Sequence, residues 1–382
     1  MIRQSIFSAL LGLAALAVCL PATANATDYP LTVTDLAGRS VTIPAEPKRI
    51  VLQDGRDVTM LALLDRDNPF ARLVAWNNIL SRDDVASWKV FTSKWPQAAS
   101  ILDMGFGDDG QVNAEELIAT RPQLVIAQRR ALGSFTQAGV DKRLAELHIP
   151  ILYVDTFDAP VPDATQSVDL LGKVLNREKE AAAYESFYSD HLKHLQDTIA
   201  KTGKKPTIFV EALAGRQGPE QCCFTHGKAG WGLLVEAIGA RNIGSDLVTG
   251  AAGDVTLETV IAHKPDVYVF TGRQASKAGN VMVPLGYAAD KAKVDSAMAT
   301  LEGRPGFSAI EAAKNGRVYG IWHLFYSHPY NIVALEWLAK FTFPDQFAAL
   351  EPDDTYKSII ANFTQIPAEP FLQAEQAPAA AN

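Results

Sequence analysis

Short runs of apolar residues alternate along the chain with segments in which apolar residues recur every three or four positions. Continuous apolar runs are typical of strands buried on both faces of a parallel sheet, and the recurring spacing is typical of helices. The runs predict strands at residues 49–52, 73–75, 124–127, 151–154, 207–211, 267–271 and 318–322. The spacing predicts helices at residues 58–64, 114–120, 143–147, 231–238, 257–262 and 307–314. Strands that alternate with helices indicate an α/β fold with parallel sheets.

The middle of the chain differs, because it has no proline and a single glycine, Gly172, between residue 163 and about residue 200. Its second part is rich in Glu, Lys, Ala and Leu, which favour helix. We therefore predict one long helix, with a break near residues 175–176, between two α/β halves. The predicted domains are an N-terminal lobe at 27–165, a connecting helix at 166–202, a C-terminal lobe at 203–341 and a C-terminal extension at 342–382. The tail after Leu372 lacks core-forming residues and is expected to be frayed.

An internal repeat links residues 114–126 (AEELIATRPQLVI) with residues 257–269 (LETVIAHKPDVYV). In each copy a glutamate stands seven residues before a proline, an apolar strand follows, and an arginine stands eight residues after the proline. The equivalent residues are Glu115 and Glu258, Pro122 and Pro265, and Arg130 and Arg273. Any two helix–turn–strand joints share some features, but agreement at all these positions favours two related lobes with a cleft between them.

Cations follow the predicted strands, at the ends where parallel α/β sheets bind ligands. Arg130 and Arg273 come one from each lobe, Lys228 lies in a loop after another strand, and Arg129 and Arg56 are further candidate contacts. Converging cations would bind an anionic ligand. The alternative is that each arginine is a surface residue paired with a nearby carboxylate.

Aromatic residues and histidines in presumed loops are the other candidate ligand contacts. They are Trp76, Trp322, His323, Tyr326 and His328. Aromatic rings can grip a bulky ligand by stacking, although core packing between the lobes is the alternative for each of them. His323 and His328 are five residues apart and have no accompanying set of carboxylates, so we predict no metal site held by the protein itself.

The N-terminus has the pattern of a secretory signal peptide. Residues 1–26 contain one charge (Arg3), an apolar stretch at 6–20 and an Ala-Asn-Ala cleavage pattern that ends at Ala26. The stretch is short for a membrane span. We therefore predict cleavage after Ala26, which would give a periplasmic protein that is not inserted in the membrane. The alternatives are that the stretch is a membrane anchor or that the chain is lipidated at Cys19.

Composition excludes several classes of protein. Hydrophobic residues make up 48% of the chain and charged residues 20%, which is ordinary for a globular protein and unlike a disordered one. The net charge of -8 argues against general nucleic-acid binding, which needs a basic surface. Beyond the leader there is no apolar run long enough for a membrane span, which excludes an integral membrane protein.

Two adjacent cysteines, Cys222 and Cys223, remain after the leader. They form either a vicinal disulfide or a pair of half-buried thiols. No CxxC, HExxH, GxSxG or phosphate-loop pattern occurs in the chain, and nothing indicates a nucleophile–base pair. We therefore predict a protein that is not an enzyme, with a secreted two-domain enzyme as a minor alternative.

Several segments resemble periplasmic substrate-binding proteins of ABC importers for iron–siderophores, haem and cobalamin. They are residues 34–44 (TDLAGRSVTIP), 47–51 (PKRIV), both copies of the repeat, 231–243 (WGLLVEAIGARNI) and 315–319 (NGRVY). The resemblance runs from about Val33 to Phe341. It implies two Rossmann-like lobes joined by a single long helix, limited closure on the ligand, a monomer, and docking of Glu115 and Glu258 onto a permease dimer.

The chain departs from this family at residues 85–100 and after Phe341, which look like additions, and at the adjacent cysteines. The resemblance places a haem-ligating tyrosine in the loop at 104–109, which here reads MGFGDD and has none. Cationic residues in the cleft suit an anionic ferric siderophore that brings its own iron ligands. We therefore predict a binding protein for a ferric siderophore, with no intrinsic cofactor; the alternatives are cobalamin, haem or another metal chelate.

Overall fold

The computed structural model of this chain describes residues 27–108, 111, 113–274 and 281–378. Within these ranges the chain forms two α/β lobes with parallel sheets, as the alternation of strands and helices predicted. The predicted leader with Cys19, and Asp109 of the loop at 104–109, lie outside the described residues.

The structure contains the following elements in chain order. The strands are β1 (Leu31–Thr34), β2 (Ser40–Ile43), β3 (Ile50–Leu52), β4 (Leu73–Trp76), β5 (Leu102–Asp103), β6 (Leu124–Gln128), β7 (Ile151–Val154), β8 (Thr207–Glu211), β9 (Phe224–His226), β10 (Arg241–Asn242), β11 (Ala252–Asp254), β12 (Val267–Gly272), β13 (Gly286–Tyr287), β14 (Val318–Trp322), β15 (Phe371–Leu372) and β16 (Ala374–Gln376). The helices are α1 (Val58–Leu64), α2 (Ile79–Asp83), α3 (Val85–Lys94), α4 (Ala114–Ala119), α5 (Leu132–Ala138), α6 (Val140–Glu146), α7 (Pro160–Leu175), α8 (Glu178–Ala200), α9 (Trp231–Ala237), α10 (Gly244–Leu247), α11 (Leu257–His263), α12 (Lys291–Glu302), α13 (Glu311–Lys314), α14 (Ile332–Thr342) and α15 (Pro352–Phe363).

The predicted strands all form, each within one residue of its predicted ends. Five of the predicted helices form as α1, α4, α6, α9 and α11, although α6 begins at Val140, before the predicted start. The predicted helix at 307–314 is a 3-10 turn, Phe307–Ala309, followed by the short α13. No helix in the described part of the chain has the length and apolarity needed to cross a bilayer.

The N-terminal lobe is built on a five-stranded sheet with strand order β5-β4-β3-β6-β7, and its neighbouring strands are all parallel. Strands β3, β6 and β7 are buried at every position, because helices cover both faces of the sheet. This burial explains why these strands read as continuous apolar runs.

The C-terminal lobe repeats this arrangement with strand order β10-β8-β12-β14-β16. Its first four strands are parallel, and α11 leads into β12 as α4 leads into β6 in the other lobe. The two copies of the sequence repeat therefore occupy equivalent places in the two sheets, at a helix and the inner strand that follows it.

The C-terminal tail contradicts its prediction. Residues after Leu372 were expected to be frayed, but β16 pairs antiparallel with β14, with Ile321 opposite Ala374. Gln373 is buried at 2% exposure, and its side-chain oxygen accepts a hydrogen bond from the indole of Trp337 over 3.1 Å. The prediction failed because an edge strand is held by backbone hydrogen bonds, which polar residues make as well as apolar ones.

The connection between the lobes is made of two helices, α7 and α8, and begins at Pro160 rather than at residue 166. The helices are separated at Asn176, which has a left-handed backbone (φ 58°), close to the predicted break. The implied single connecting helix is therefore interrupted. Gly172 allows the two helices to approach, since a Cβ atom there would lie 2.6 Å from the Cβ of Ala181.

The two apparent additions lie where the lobes meet. Helix α3, from the segment at 85–100, buries its aromatic residues in the N-terminal lobe and packs on β13 of the C-terminal lobe. Helix α15, from the C-terminal extension, places Phe363 against Tyr184 and Phe187 of α8. Just beyond α15, Gln365 bonds to Asp67 and Lys94 of the N-terminal lobe. Both additions thus connect the lobes.

Candidate functional site

Residues that follow the strands of the two lobes meet across the boundary between the lobes. The guanidinium of Arg56, after β3, donates to the hydroxyl of Tyr326, after β14, over 3.5 Å. The backbone N–H of Gly230, just before α9, donates to the carbonyl of Phe157, after β7, over 2.8 Å. The ligand-binding ends of both parallel sheets therefore face each other at this boundary, hereafter called the cleft.

The N-terminal wall of this cleft is an ion network rather than a set of bare cations. Arg56 Nε donates to Asp54 Oδ1 over 2.9 Å, and Arg130 ion-pairs with Asp54 and with Asp108, the latter over 2.7 Å. Burial alone would raise the pKa of Asp54, but the two guanidinium groups outweigh it and hold that pKa below its ordinary value. Arg130 is paired with carboxylates, as the alternative interpretation predicted.

A second carboxyl lies behind the arginines. Asp57 is 2% exposed; its Oδ1 accepts a hydrogen bond from the amide of Gln128 over 2.6 Å, and its Oδ2 is enclosed without a partner among the described residues. Burial and the charge of Asp54 raise the pKa of Asp57 to about 8. Asp57 is therefore mostly protonated at neutral pH, and the two arginines balance the ionised Asp54 and Asp108.

Arg129 has a structural role in this fold. Its guanidinium ion-pairs with three carboxylates of the N-terminal lobe, those of Asp155, Asp158 and Asp163, and donates to the carbonyl of Leu36 over 3.3 Å. Pairing with three carboxylates occupies its donors and fastens the loop after β7. These ion pairs give Arg129 a structural role, and its contact with the ligand stays a prediction.

The C-terminal wall carries two buried imidazoles. The Nδ1 atom of His226 accepts a hydrogen bond from the backbone N–H of Trp231 over 3.1 Å. Thr271 Oγ1 accepts the backbone N–H of Leu213 over 3.0 Å and shares a hydrogen bond with His323 Nδ1, 2.7 Å away, whose direction depends on the tautomer of the ring. Because Nδ1 of His226 accepts a hydrogen bond, the proton of that neutral imidazole is on Nε2.

These imidazoles are held neutral. Burial lowers the pKa of His226 to about 4, and burial, His226 and Arg273 together lower that of His323 well below its ordinary value. Neither Nε2 atom has a hydrogen-bond partner in the described part of the chain, and neither is sealed from solvent. The ring of Tyr326 packs against the imidazole rings of His226 and His323, at centroid distances of 5.2 and 4.9 Å respectively. The wall thus offers an uncharged N–H donor beside an aromatic face.

Arg273 is the less constrained of the two repeat arginines. Its side chain is 14% exposed, and its ion pair is with Asp83 of α2, over 3.4 Å. Arg216, in the loop after β8, adds a second positive charge, which helps to lower the pKa of His323. Its guanidinium lies 5.2 Å from the ring of Phe224. Two guanidinium groups thus lie near the neutral imidazoles; the carboxyl of Asp84 faces Arg273, and Glu220 and Asp254 line a cavity together with Arg216.

Three aromatic or histidine candidates have packing roles in this structure. Trp76 is fully buried against Phe70 and Trp88. Trp322 is 2% exposed and meets His328 edge to face at 5.1 Å. Both ring nitrogens of His328 are enclosed without partners in the ranges that the structure describes, and burial lowers its pKa to about 3. Contact of these three residues with the ligand stays a prediction.

Lys228 lies in the loop between β9 and α9, where it was expected, and its side chain is exposed. Arg56 and Tyr326 are in contact, and the charges of Arg56 and Arg273 act on His323, so the structure brings these candidates together. Contact of Lys228 with the ligand stays a prediction.

Metal-ligating side chains are grouped elsewhere. Across residues 27–108, 111, 113–274 and 281–378, one group of three His, Cys, Asp or Glu ligands lies within coordinating distance, and it consists of Glu211, Cys222 and Cys223. These residues are in the C-terminal lobe. In the cleft, the described side chains form no such group.

Sequence reasoning missed residues that stand beside those it selected. Asp54 and Asp57 follow β3, and His226 ends β9, so the rule that selected Arg130 and Arg273 from strand ends applies to them equally. The predicted site residues were cations, aromatic residues and histidines, and no carboxylate at a strand end was among the predicted ligand contacts. Applied to every polar residue after a strand, the same rule would have found the ion network.

Comparison with known proteins supports this description of the fold. A family model described as periplasmic binding protein matches residues 67–322. An uncharacterized ABC transporter substrate-binding lipoprotein, YvrC of Bacillus subtilis, is 26% identical over 328 residues, covering 84% of this chain and 87% of that protein. A cobalamin-binding protein of Halobacterium salinarum is 23% identical over 256 residues, covering 66% of this chain and 61% of its own length.

A solved structure of a periplasmic binding protein has the same fold as this chain. The TroA-like periplasmic binding protein FepB from Veillonella parvula superposes with a TM-score of 0.82 at 23% identity, covering 91% of this chain and all of that one. At this identity the likeness establishes the two-lobe fold.

Proposed function

The chain belongs to the periplasmic binding protein family, and from this premise we propose that it captures a ferric siderophore and delivers it to the permease of an ABC importer. Its role as a substrate-binding protein of the ABC transporter type follows from the family and from the relative in Bacillus subtilis. The proposal that the ligand is an anionic iron chelate rests on the cleft.

The observation that carries this proposal is the C-terminal wall of the cleft. Within the described ranges Arg273 has one ion-pair partner, and the Nε2–H group of His226 and the Nε2 atom of His323 are unpartnered. Such a wall matches a ligand with several negatively charged or carbonyl oxygens, because both guanidinium and imidazole N–H groups donate to oxygen. Catecholate and carboxylate siderophores present such oxygens around their iron.

The proposal also holds that iron arrives already chelated. Histidine ligands to a metal bind through an unprotonated nitrogen. In His226 the Nδ1 lone pair accepts the backbone N–H of Trp231, so Nε2 carries the proton, and in His323 the Nδ1 atom is engaged by Thr271. The cleft is therefore suited to hydrogen-bonding the organic ligand, which keeps the iron.

Cobalamin is the second candidate, because a relative that covers 66% of this chain is named a cobalamin-binding protein. Its large neutral surface would rely on aromatic contacts. Trp76 and Trp322 are buried in the lobes, and Phe157 and Tyr326 are among the rings at the boundary. The cleft favours an anionic chelate over cobalamin for this reason.

Native mass spectrometry of the purified protein with a panel of ferric siderophores, haem and cobalamin tests the proposal directly. We expect one-to-one complexes with anionic ferric siderophores and none with their iron-free forms at equal concentration. A complex with cobalamin or haem that outcompetes every siderophore would replace the proposed ligand and leave the transport role intact.

We also propose that Glu115 and Glu258 dock onto the permease dimer. Both are exposed, and both are the second residue of a helix that leads into the equivalent strand of its lobe. Their side chains can therefore present one negative charge from each lobe of a monomer to a two-fold partner.

Export is proposed to use the leader at residues 1–26, with cleavage after Ala26. Lipidation at Cys19 is the second candidate, because the Bacillus subtilis relative is named a lipoprotein. Mass measurement of the mature protein distinguishes the two, since lipidation would retain Cys19 and add acyl mass.

A further inference from the structure

The adjacent cysteines form a group with Glu211, in a cavity that Arg216 also lines. Cys222 and Cys223 are joined in a vicinal disulfide just before β9. Cys223 is buried, while Cys222 is half-buried and lines a cavity of about 400 Å³ in the C-terminal lobe. A thiol reagent that enters this cavity therefore has access to the Cys222 sulfur.

A carboxylate is fixed beside the two sulfurs. Glu211, at the end of β8, is 1% exposed, and its Oε2 accepts the hydroxyl of Tyr268 over 2.6 Å and Nη1 of Arg304 over 2.7 Å. Its Oε1 has no partner among the described residues and is not enclosed. One ligand atom from Glu211 and the two sulfurs all lie within 4.8 Å of one another. Tyr268 also contacts both sulfurs, at 3.9 and 3.6 Å, which ties the group together.

We propose that the reduced form of this cysteine pair, with Glu211, is a binding site for a thiophilic divalent cation such as Zn²⁺ or Cd²⁺. Two thiolates and one carboxylate are ligands that such ions prefer, and a water from the cavity would complete a four-coordinate shell. In the disulfide the sulfurs are poor ligands, so the site is available only after reduction.

The chemistry balances with a dithiol as the reductant. Its two sulfurs transfer two electrons and two protons, the S–S bond of the cysteine pair breaks, and the dithiol becomes a disulfide. When the cation binds, the two new thiols release two protons to solvent and two metal–sulfur bonds form. Two thiolates and Glu211 then face the cation and Arg304, so the buried charges cancel.

The exported full chain is the material for the test. The protein is reduced with tris(2-carboxyethyl)phosphine, which takes up oxygen from water to become the phosphine oxide and leaves two thiols. After the phosphine is removed without air, Cd²⁺ is titrated in and the ultraviolet sulfur-to-cadmium charge-transfer band is followed. We expect one equivalent of Cd²⁺ to bind the reduced protein and none to bind the oxidised protein.

Variants identify the ligands. The double variant Cys222→Ser/Cys223→Ser should lose the band, and it also subtracts any signal from Cys19. Glu211→Gln should weaken Cd²⁺ binding by at least about tenfold. Glu220→Gln is the matched control, because Glu220 lines the same cavity and is outside the group of three, and it should bind as the parent does.

Three results would overturn the site. They are reduced protein that binds no stoichiometric Cd²⁺, a serine double variant that binds as tightly as the parent, and a Glu211→Gln variant of unchanged affinity. If Glu211→Gln fails to fold, as judged by its thermal unfolding, Glu211→Asp takes its place, since it keeps the negative charge that Arg304 needs. Its shortened side chain should weaken Cd²⁺ binding, and unchanged affinity would again exclude the carboxylate as a ligand.

Discussion

Replacing Arg273 with alanine is the sharpest test of the cleft, because we expect a small effect on the free energy of unfolding and a large effect on ligand binding. The guanidinium has one ion-pair partner, Asp83, at 3.4 Å, and the side chain of Asp83 is 49% exposed. A pair with so exposed a partner is screened by water and contributes less than about 1 kcal/mol to the free energy of unfolding. We therefore expect the folded state of Arg273→Ala to be nearly as stable as that of the parent.

Ligand binding should respond much more strongly. A hydrogen bond from a charged donor to an anionic ligand is worth about 1.5–3 kcal/mol, which corresponds to a dissociation constant raised roughly ten- to a hundredfold. Arg273→Lys keeps the charge but loses the forked geometry, so it should fall between parent and alanine variant. Calorimetric titration with the ligand found by mass spectrometry measures the constant, and urea unfolding measures the stability.

Arg130→Ala is the matched comparison, since Arg130 is its equivalent in the repeat. Its partner Asp54 has a side chain that is 4% exposed, and removing one member of a buried pair costs about 3–5 kcal/mol when no other cation remains. Arg56 remains beside Asp54, so we expect about 2–3 kcal/mol. The reasoning is wrong if Arg273→Ala leaves affinity unchanged, or if it destabilises the protein as much as Arg130→Ala does.

Three further predictions follow from particular residues. The pKa of Asp57 is raised from 3.8 to about 8, so the folded state binds the proton of this carboxyl more tightly than the unfolded state does. The free energy of unfolding should therefore fall as pH rises from about 4 through 8. Asp57→Asn should flatten the dependence of melting temperature on pH between 6 and 9. Changing both Glu115 and Glu258 to alanine should preserve ligand affinity and reduce cellular uptake sharply, and the loss of uptake should exceed that of either single variant. Normal uptake with a lowered melting temperature would show that the two glutamates only stabilise the helix dipoles. Phe363→Ala, which removes a half-buried ring from between α15 and α8, should lower the free energy of unfolding by about 1–2 kcal/mol, and an unchanged urea midpoint would contradict a structural role for the extension.

The sequence predicted the fully buried strands well because burial on both faces produces a continuous apolar run. Strands β3, β6 and β7 are buried at every position and therefore read as such runs, although β7 lies at the edge of its sheet. The other edge strands, β5, β10 and β16, have only two or three residues and no such run, so they were not predicted. Edge pairing depends on backbone hydrogen bonds, which no side-chain pattern records.

The candidate site was predictable only in part, for a different physical reason. The rule that ligands bind at strand ends located Arg130 and Arg273, and the repeat made them equivalent. What each arginine contacts depends on residues distant in the chain: Asp54 is separated from Arg130 by 76 positions. No local pattern marks such a pairing, and only the folded sheet brings the two residues together.

The two lobes therefore carry equivalent arginines in unequal surroundings. This asymmetry determines how each wall of the cleft interacts with a charged ligand. In the N-terminal wall Asp54 and Asp108 balance Arg56 and Arg130, and Asp57 stays mostly protonated at neutral pH. In the C-terminal wall the imidazoles are neutral, and Arg273 pairs with the half-exposed Asp83. An anionic ligand gains more from the second wall than from the first, because its charge there replaces water around a guanidinium instead of competing with a buried carboxylate. The anionic part of the ligand is therefore expected to face the C-terminal lobe.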